Sequence, residues 1–200
     1  MTFARLILSA TNNDKVPEPR SLQLPQRPIA TSLIQYYLDN IFTLFPVFPE
    51  TALFNAMDKI YQGGSQPVSD FEYWIFYMAL AISSTAQSRS YSDSYYEEGV
   101  SWIGRALTYA DEVLAPGYVS QIQALVLFVQ YAMLDPAHFD SWQLAGFACR
   151  AIVDLGLHQD PPKEQQTDKN ALDMRRRVFY CVYSLDRYEN SSSALYFVHF

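Results

Sequence analysis

Three histidines, His138, His158 and His199, are the side chains best suited to move a proton or hold a metal at neutral pH. A zinc site wants Cys and His in close pairs, and Cys149 and Cys181 are far from any such spacing. Asp154 and His158, four apart, could share one helix face, the smallest geometry that can grip an ion. The competing reading is stronger: His158 follows Gly156 at a helix end, where an imidazole caps carbonyls and complements the helix dipole. A di-iron bundle needs inward Glu-x-x-His pairs and a diphosphate–Mg²⁺ site an Asp-Asp-x-x-Asp run, and the chain has neither. Gly-x-Gly-x-x-Gly, Walker-type and Gly-x-Ser-x-Gly signatures are missing as well, and Gly63-Gly64-Ser65 reads only as a loop. No catalytic, cofactor-binding or metal-binding residue is therefore assigned, and the chain is expected to work by binding rather than by catalysis.

Arg175-Arg176-Arg177 is the one basic run. Read for chemistry, it is a phosphate or DNA patch. Yet it sits early in a helical pattern, where positive charge opposes the macrodipole by a few tenths of a kcal/mol. That placement favours compensating carboxylates on a neighbouring helix over a nucleic-acid contact.

The elements that must carry these residues read as helices. Residues 1–28 are expected to be a disordered N-terminal segment or linker, because 11–28 hold four prolines and no periodicity. Met1 to Ala10 has a short apolar run interrupted by Arg5, too short and too charged for a secretory signal. A first helix is predicted over 30–45, with Leu33, Tyr37, Leu38, Ile41, Leu44 and Phe45 on one face and Pro46 ending it. A second runs from Pro49 to before Gly63. Ser69 and Glu72 form a capping box opening a third over 71–87, apolar nearly all round and so placed at the centre. Ser94 and Glu97 repeat the box before Tyr96, Val100, Ile103, Leu107, Ala110 and Leu114, which step by four and three. A fifth helix spans 121–134. Trp142, Ala145, Cys149, Ile152 and Leu155 mark a sixth, and Met174, Val178, Val182 and Leu185 a seventh. The fold class is thus all-α, an array of about seven helices packed as antiparallel α-hairpins. Core packing is the default role for Trp74, Phe76, Tyr77, Trp102, Phe128, Trp142, Phe147 and Phe179, with an effector pocket lined by some of them as the alternative.

Composition agrees. Half of the 200 residues are apolar, with 15 Tyr, 13 Phe, 3 Trp and only 7 Gly, a balance that suits packed helices and excludes disorder throughout. A formal charge of −7 argues against direct contact with nucleic acid. The longest apolar stretches, 74–82 and 124–134, fall short of the ~20 residues a membrane helix needs, so a soluble chain is expected. The two cysteines read as buried, reduced thiols of an intracellular protein, with a disulfide between them left open.

Several stretches, in order, resemble one family. Leu33-Ile34-Gln35-Tyr36-Tyr37 with Leu44-Phe45-Pro46-Val47-Phe48 is similar to the opening of the fungal-specific transcription factor domain, also called the xylanolytic activator regulatory domain. The segments YEEGVSWIGRAL (96–107) and SQIQALVL (120–127) resemble its next helices. WQLAGFACRAIVDLGLHQD (142–160) with RRRVFYCVYSLDR (175–187) resembles its most recognisable pair. The family motif residues so matched are Leu155, Gly156, His158, Arg175, Arg176, Arg177, Asp186 and Arg187. Arg176 and Asp186 are read as helix locks rather than ligand contacts.

The resemblance implies the regulatory middle domain, over 29–187, of a nuclear zinc-cluster transcription factor that regulates transcription by RNA polymerase II. It implies no cofactor in this chain, zinc being held by a separate six-cysteine cluster that contacts DNA. Partners would be proteins: the activation or DNA-binding regions of the same polypeptide, the transcription machinery, or a second copy as a homodimer. A small-molecule effector is a further option, whereas direct nucleic-acid and membrane contacts are not expected. The first 148 residues hold no cysteine, so the cluster is not in this stretch. After Arg187 a Gly-Arg-Pro turn is expected, but the chain reads YENSSSALYFVHF, so 188–200 is expected to be an atypical tail on a domain truncated at its C-terminal end, with Leu195 to Val198 an exposed apolar end. The residues alone leave two alternatives: a helical enzyme with an unrecognised site, or a non-functional gene fragment.

Overall fold

The computed structural model describes residues 2–16, 23–63, 66–162 and 168–197, the last seven by backbone alone. Nine α-helices are present among them: α1 Phe3–Thr11, α2 Arg27–Tyr37, α3 Thr51–Tyr61, α4 Asp70–Gln87, α5 Ser94–Ala106, α6 Ala110–Val113, α7 Val119–Leu134, α8 Ser141–Asp154 and α9 Lys169–Phe197. Among the described residues the single departure from helix and loop is an isolated antiparallel bridge between Asn12 and Phe139. The fold is all-α. The seven predicted helices are all there; α1 is additional, and the predicted fourth is split into α5 and α6 by a 3₁₀ turn at Leu107–Tyr109.

Helix α4 occupies the centre because its apolar residues leave no polar side to face water. Trp74 to Thr85 are all buried, and α4 packs against α2, α3, α5 and α7. Its start is the predicted capping box: Glu72 N–H donates to Ser69 Oγ at 3.2 Å and Ser69 N–H to Glu72 Oε2 at 2.9 Å. The approach of α5 to α4 requires Gly99, since a Cβ there would meet Thr85 Oγ1 at 2.1 Å. Helix α7 is the second buried rod, and Trp74 meets its Phe128 edge to face at 6.0 Å. Each such large apolar side chain contributes roughly 1.5–3 kcal/mol through burial.

Four expectations need correcting. Residues 3–11 are helical rather than disordered. An isolated nine-residue helix is marginal in water, but α1 buries Ala4 and Ile7, packs against α8 and α6, and sets Phe3 edge to face on Phe147 at 6.3 Å. Second, Leu44 is exposed: the backbone passes from α2 into a π-helical turn, Leu38–Phe42, which turns Phe42 inward and Leu44 out. Third, Asp93 rather than Ser94 caps α5, its Oδ1 accepting from Tyr96 N–H at 2.8 Å and its Oδ2 from Arg89 N–H at 2.6 Å. Fourth, Trp142 is 56 % exposed, because α8 buries Leu144, Ala145, Ala148, Ala151 and Ile152 instead. Residues 17–22, much of the predicted linker, lie outside the described residues, as do Gly64, Ser65 and His199. The tail continues as helix to Phe197, while the side chains proposed as an exposed apolar end also lie outside the described residues.

Candidate functional site

The matched motif residues gather mainly at the joint between α8 and α9. Helix α8 ends with Gly156 in the left-handed region, φ +63°. Gly156 N–H donates to Val153 O at 3.0 Å and Leu157 N–H to Ile152 O at 2.9 Å, the paired bonds of a Schellman closure. Arg175 reaches back from the first turns of α9 and donates to the Gly156 carbonyl and to Gln159 O at 3.1 Å. Arg176 forks onto Asp160 at 3.0 and 2.5 Å. That bond holds the Asp160 carboxyl below its ordinary range. Arg177 pairs within its own helix, with Asp173 at 2.7 Å. The basic run is thus spent on the loop after α8 and on α9 itself, rather than on carboxylates of a neighbouring helix.

Leu155 is half-buried beside this latch, and His158 is exposed on the loop. Asp186 and Arg187 stand about three turns further along α9, 3.3 Å apart. Arg187 also lies over the Tyr183 ring at 5.3 Å. Asp186 accepts a bond from the Cys149 thiol, and burial followed by that carboxylate pushes Cys149 up to about 11. Burial pushes Cys181 up to about 12. Both cysteines are free, and burial disfavours the thiolate that a nucleophile needs.

Two buried polar clusters have no counterpart among the motif residues. Asp135, fully buried, accepts from Tyr96 Oη at 2.9 Å and Tyr131 Oη at 3.0 Å and lies 2.8 Å from His138 Nδ1. Burial and then the Asp135 carboxylate raise both tyrosines far above their ordinary range. A His–Asp pair can orient a general base, but this carboxylate is shared by two phenols and sits between α5 and α7. Its geometry is that of a clamp. The signal in the sequence was the spacing Tyr131, Asp135, His138 across the break at Pro136. The second cluster surrounds Arg105, buried over the rings of Tyr77 at 5.4 Å and Trp102 at 5.6 Å and donating to Gln23 O at 3.2 Å. Of the predicted core aromatics, Trp74, Phe76, Tyr77, Trp102 and Phe128 are buried, and Phe147 and Phe179 partly so.

The surface of the described residues includes three open grooves. One of about 430 Å³ lies between the segment before α2 and α5, lined by Leu24, Ile29, Glu97 and Trp102. One of about 470 Å³ lies between α3 and α4, where Lys59 meets Glu72 at 2.6 Å. The third, about 320 Å³, runs between α8 and α9 past Trp142, Gly146, Phe147, Arg150, Asp186 and Glu189. The hairpin also exposes Val153, Tyr180, Tyr183 and Tyr188. Trp, Tyr and Arg dominate the energetics of protein contacts, and several of them stand exposed on this hairpin. Among the described residues no helix is long and apolar enough to cross a membrane, and no group of three or more His, Cys, Asp and Glu is placed to hold a metal ion.

Comparison with known proteins gives one consistent answer. The model of the family described as "Fungal specific transcription factor domain" matches residues 34–192. A transcriptional regulatory protein of Schizosaccharomyces pombe is 27 % identical over 162 residues, 80 % of this chain and 26 % of that protein. The negative regulator of pleiotropic drug resistance of Candida glabrata is 22 % identical over 90 % of this chain and 18 % of its own length. The positive regulator of purine utilization of Emericella nidulans is 21 % identical over 86 % of this chain and 21 % of its own length. The chain therefore spans only between 18 % and 26 % of these relatives. No solved structure matches it.

Proposed function

The chain belongs to the fungal specific transcription factor domain family, and from that premise we propose that its α8–α9 hairpin is the surface through which it regulates. On this reading, residues 29–187 form the regulatory, non-DNA-contacting middle of a longer zinc-cluster factor acting in the nucleus. The zinc belongs to another part of that factor. Cys149 and Cys181 do not make a zinc cluster: they are two thiols, one bonded to Asp186 and the other buried, and among the described residues no group of three or more His, Cys, Asp and Glu could hold a metal ion. The domain then modulates activity by contact with protein, either other regions of its own polypeptide or the transcription machinery.

One observation carries the proposal: Trp142, Val153, Tyr180, Tyr183 and Tyr188, all large, stand exposed on one helix pair, while α4 exposes none of its own. Exposed aromatic groupings of this kind mark interaction sites more often than chance. The latch at Gly156 and Arg175 fixes the angle between the two helices and so presents these side chains in one arrangement.

The test fuses residues 1–200 between a heterologous DNA-binding domain and an activation domain that drives a reporter. The fusion is expected to change reporter output relative to the same two domains joined directly, and Tyr180→Ala with Tyr183→Ala to remove most of that change. Identical output with and without residues 1–200 would overturn the reading.

A further inference from the structure

The groove between α8 and α9 contains a carboxylate that no cation among the described residues pairs with. Glu189 is only 7 % exposed, yet it lines the groove. Its hydrogen-bond donor is the Ser141 hydroxyl, 3.1 Å from Oε2, a neutral group. Burial pushes this carboxyl above its ordinary range, the Ser141 hydroxyl draws it down, and the neighbouring Asp140 charge raises it again. The N-terminal dipole of α8, which could help, is already used by Asp140 as its cap, accepting from Gln143 N–H at 3.0 Å.

Among the described residues no ion pair joins Glu189 to a cation. Arg187 sits with Asp186 and over Tyr183. Arg150 lines the same groove but lies over Phe147 at 6.0 Å. Nine residues separate it from Ser141, roughly 14 Å along the helix axis. Buried carboxylates in folded proteins are ordinarily matched by a positive partner. The rest of the groove is shaped for one. Trp142 offers an exposed indole to the same cavity, and at Gly146 a Cβ would meet nothing within 4 Å, so the slot beside it is open. An aromatic face, a buried carboxylate and an open slot together suit an alkylammonium or guanidinium group.

We propose that this groove receives an arginine or lysine side chain from a basic segment of a protein partner, its charge on the free edge of Glu189 and its stem along Trp142. The proposal rests on the reading of α8–α9 as the regulatory contact and names the chemistry of what docks there. The chain's formal charge of −7 favours such a partner over an acidic one. All the groove residues fall within the matched segment 34–192.

The three tryptophans supply the readout. Trp74 and Trp102 are buried and Trp142 is exposed, so a change in exposed-indole emission reports on the groove. Residues 1–200 would be titrated at low salt with a short peptide of alternating Arg and Gly, and with its Glu–Gly counterpart. The Arg peptide is expected to give a saturable change and the Glu peptide none. Glu189→Gln keeps the contact with Ser141 and should weaken binding roughly thirtyfold or more. Gly146→Leu fills the slot with every charge intact and should weaken it comparably; circular-dichroism melts verify that both variants fold. Three results would overturn the proposal: no saturable response, equal affinity in both folded variants, or n-butylguanidinium alone binding as tightly as the peptide, which would make the groove a small-molecule site. Because no transcription is involved, a silent reporter with intact peptide binding condemns the regulatory reading alone. An active reporter with no peptide binding condemns the groove assignment alone.

Discussion

In α4, twelve consecutive residues from Trp74 to Thr85 are buried, whereas α9 buries Val178, Cys181, Val182, Leu185 and Glu189 and turns Tyr180, Tyr183 and Tyr188 outward. Both helices are rich in aromatic side chains, so composition does not separate them. Neighbours do. Helix α4 is covered by α2, α3, α5 and α7, while α9 rests on α8 and α7. The joint at the start of α9 is accordingly polar, made of Arg175 on carbonyls and Arg176 on Asp160. The contrast teaches that aromatic residues near the centre specify the fold, and that those on the last hairpin are available for something else.

The strongest way to break this contrast is at the centre. Trp74→Ala removes a fully buried indole packed on Phe128, and should cost about 3–5 kcal/mol in a denaturant melt. Asp135→Ala comes next, leaving Tyr96, Tyr131 and His138 without their shared acceptor; about 3 kcal/mol is expected by the same measurement. Arg175→Ala should cost only about 1 kcal/mol. Hydrogen exchange should place that loss in the Gly156–Asp160 loop and the first turns of α9, with α4 unchanged. Trp142→Ala should change the unfolding free energy by no more than about 0.5 kcal/mol while altering whatever the hairpin binds. A large global loss from Trp142→Ala would erase the distinction between the two regions.

Two carboxylates sharpen it by sign rather than size. At Glu72, burial raises the pKa, but the hydrogen bonds from Lys59 and Ser69 outweigh it and hold the group below the usual carboxylate range. Its folded pKa lies below the unfolded value, so its contribution is present above the unfolded pKa and is lost as pH falls through the folded one. Glu189 is raised, so the folded state is penalised as pH climbs from the unfolded value through the folded one. Stability measured against pH should therefore lose part of its acid limb in Glu72→Gln, and lose part of its decline with rising pH in Glu189→Gln. Matching profiles in the two variants would contradict the assignment of a neutralised and an unneutralised carboxylate.

What the sequence made legible follows from local physics. The capping box at Ser69, the apolar run of α4 and the stop at Gly156 are written within a few neighbouring residues, and each is present in the fold. The second predicted box failed because Asp93 accepts two backbone N–H bonds in the preceding turn besides its cap, which Ser94 could not. Helix α1 was illegible because its partners, α6 and α8, are more than a hundred positions away. Trp142 was misassigned because four-and-three spacing identifies a helical face without saying which of two adjacent faces turns inward; Leu144 and Ala148 supply the other. At the candidate site the arginines could be read as needing partners from their place on the dipole. The groove could not, since it depends on Ser141 and Glu189 meeting across two helices.

The position of α1 also bears on how the chain matures. Asp140 N–H donates to Thr11 O and Asn13 N–H to His138 O, each at 2.8 Å, so the first helix docks on segments translated much later. With synthesis at ~5–20 residues per second, it must wait roughly 7–28 s for the ~140 residues that carry its seat to emerge. During that interval Phe3 and Ile7 remain uncovered on the nascent chain, which makes them natural points of grip for ribosome-associated chaperones.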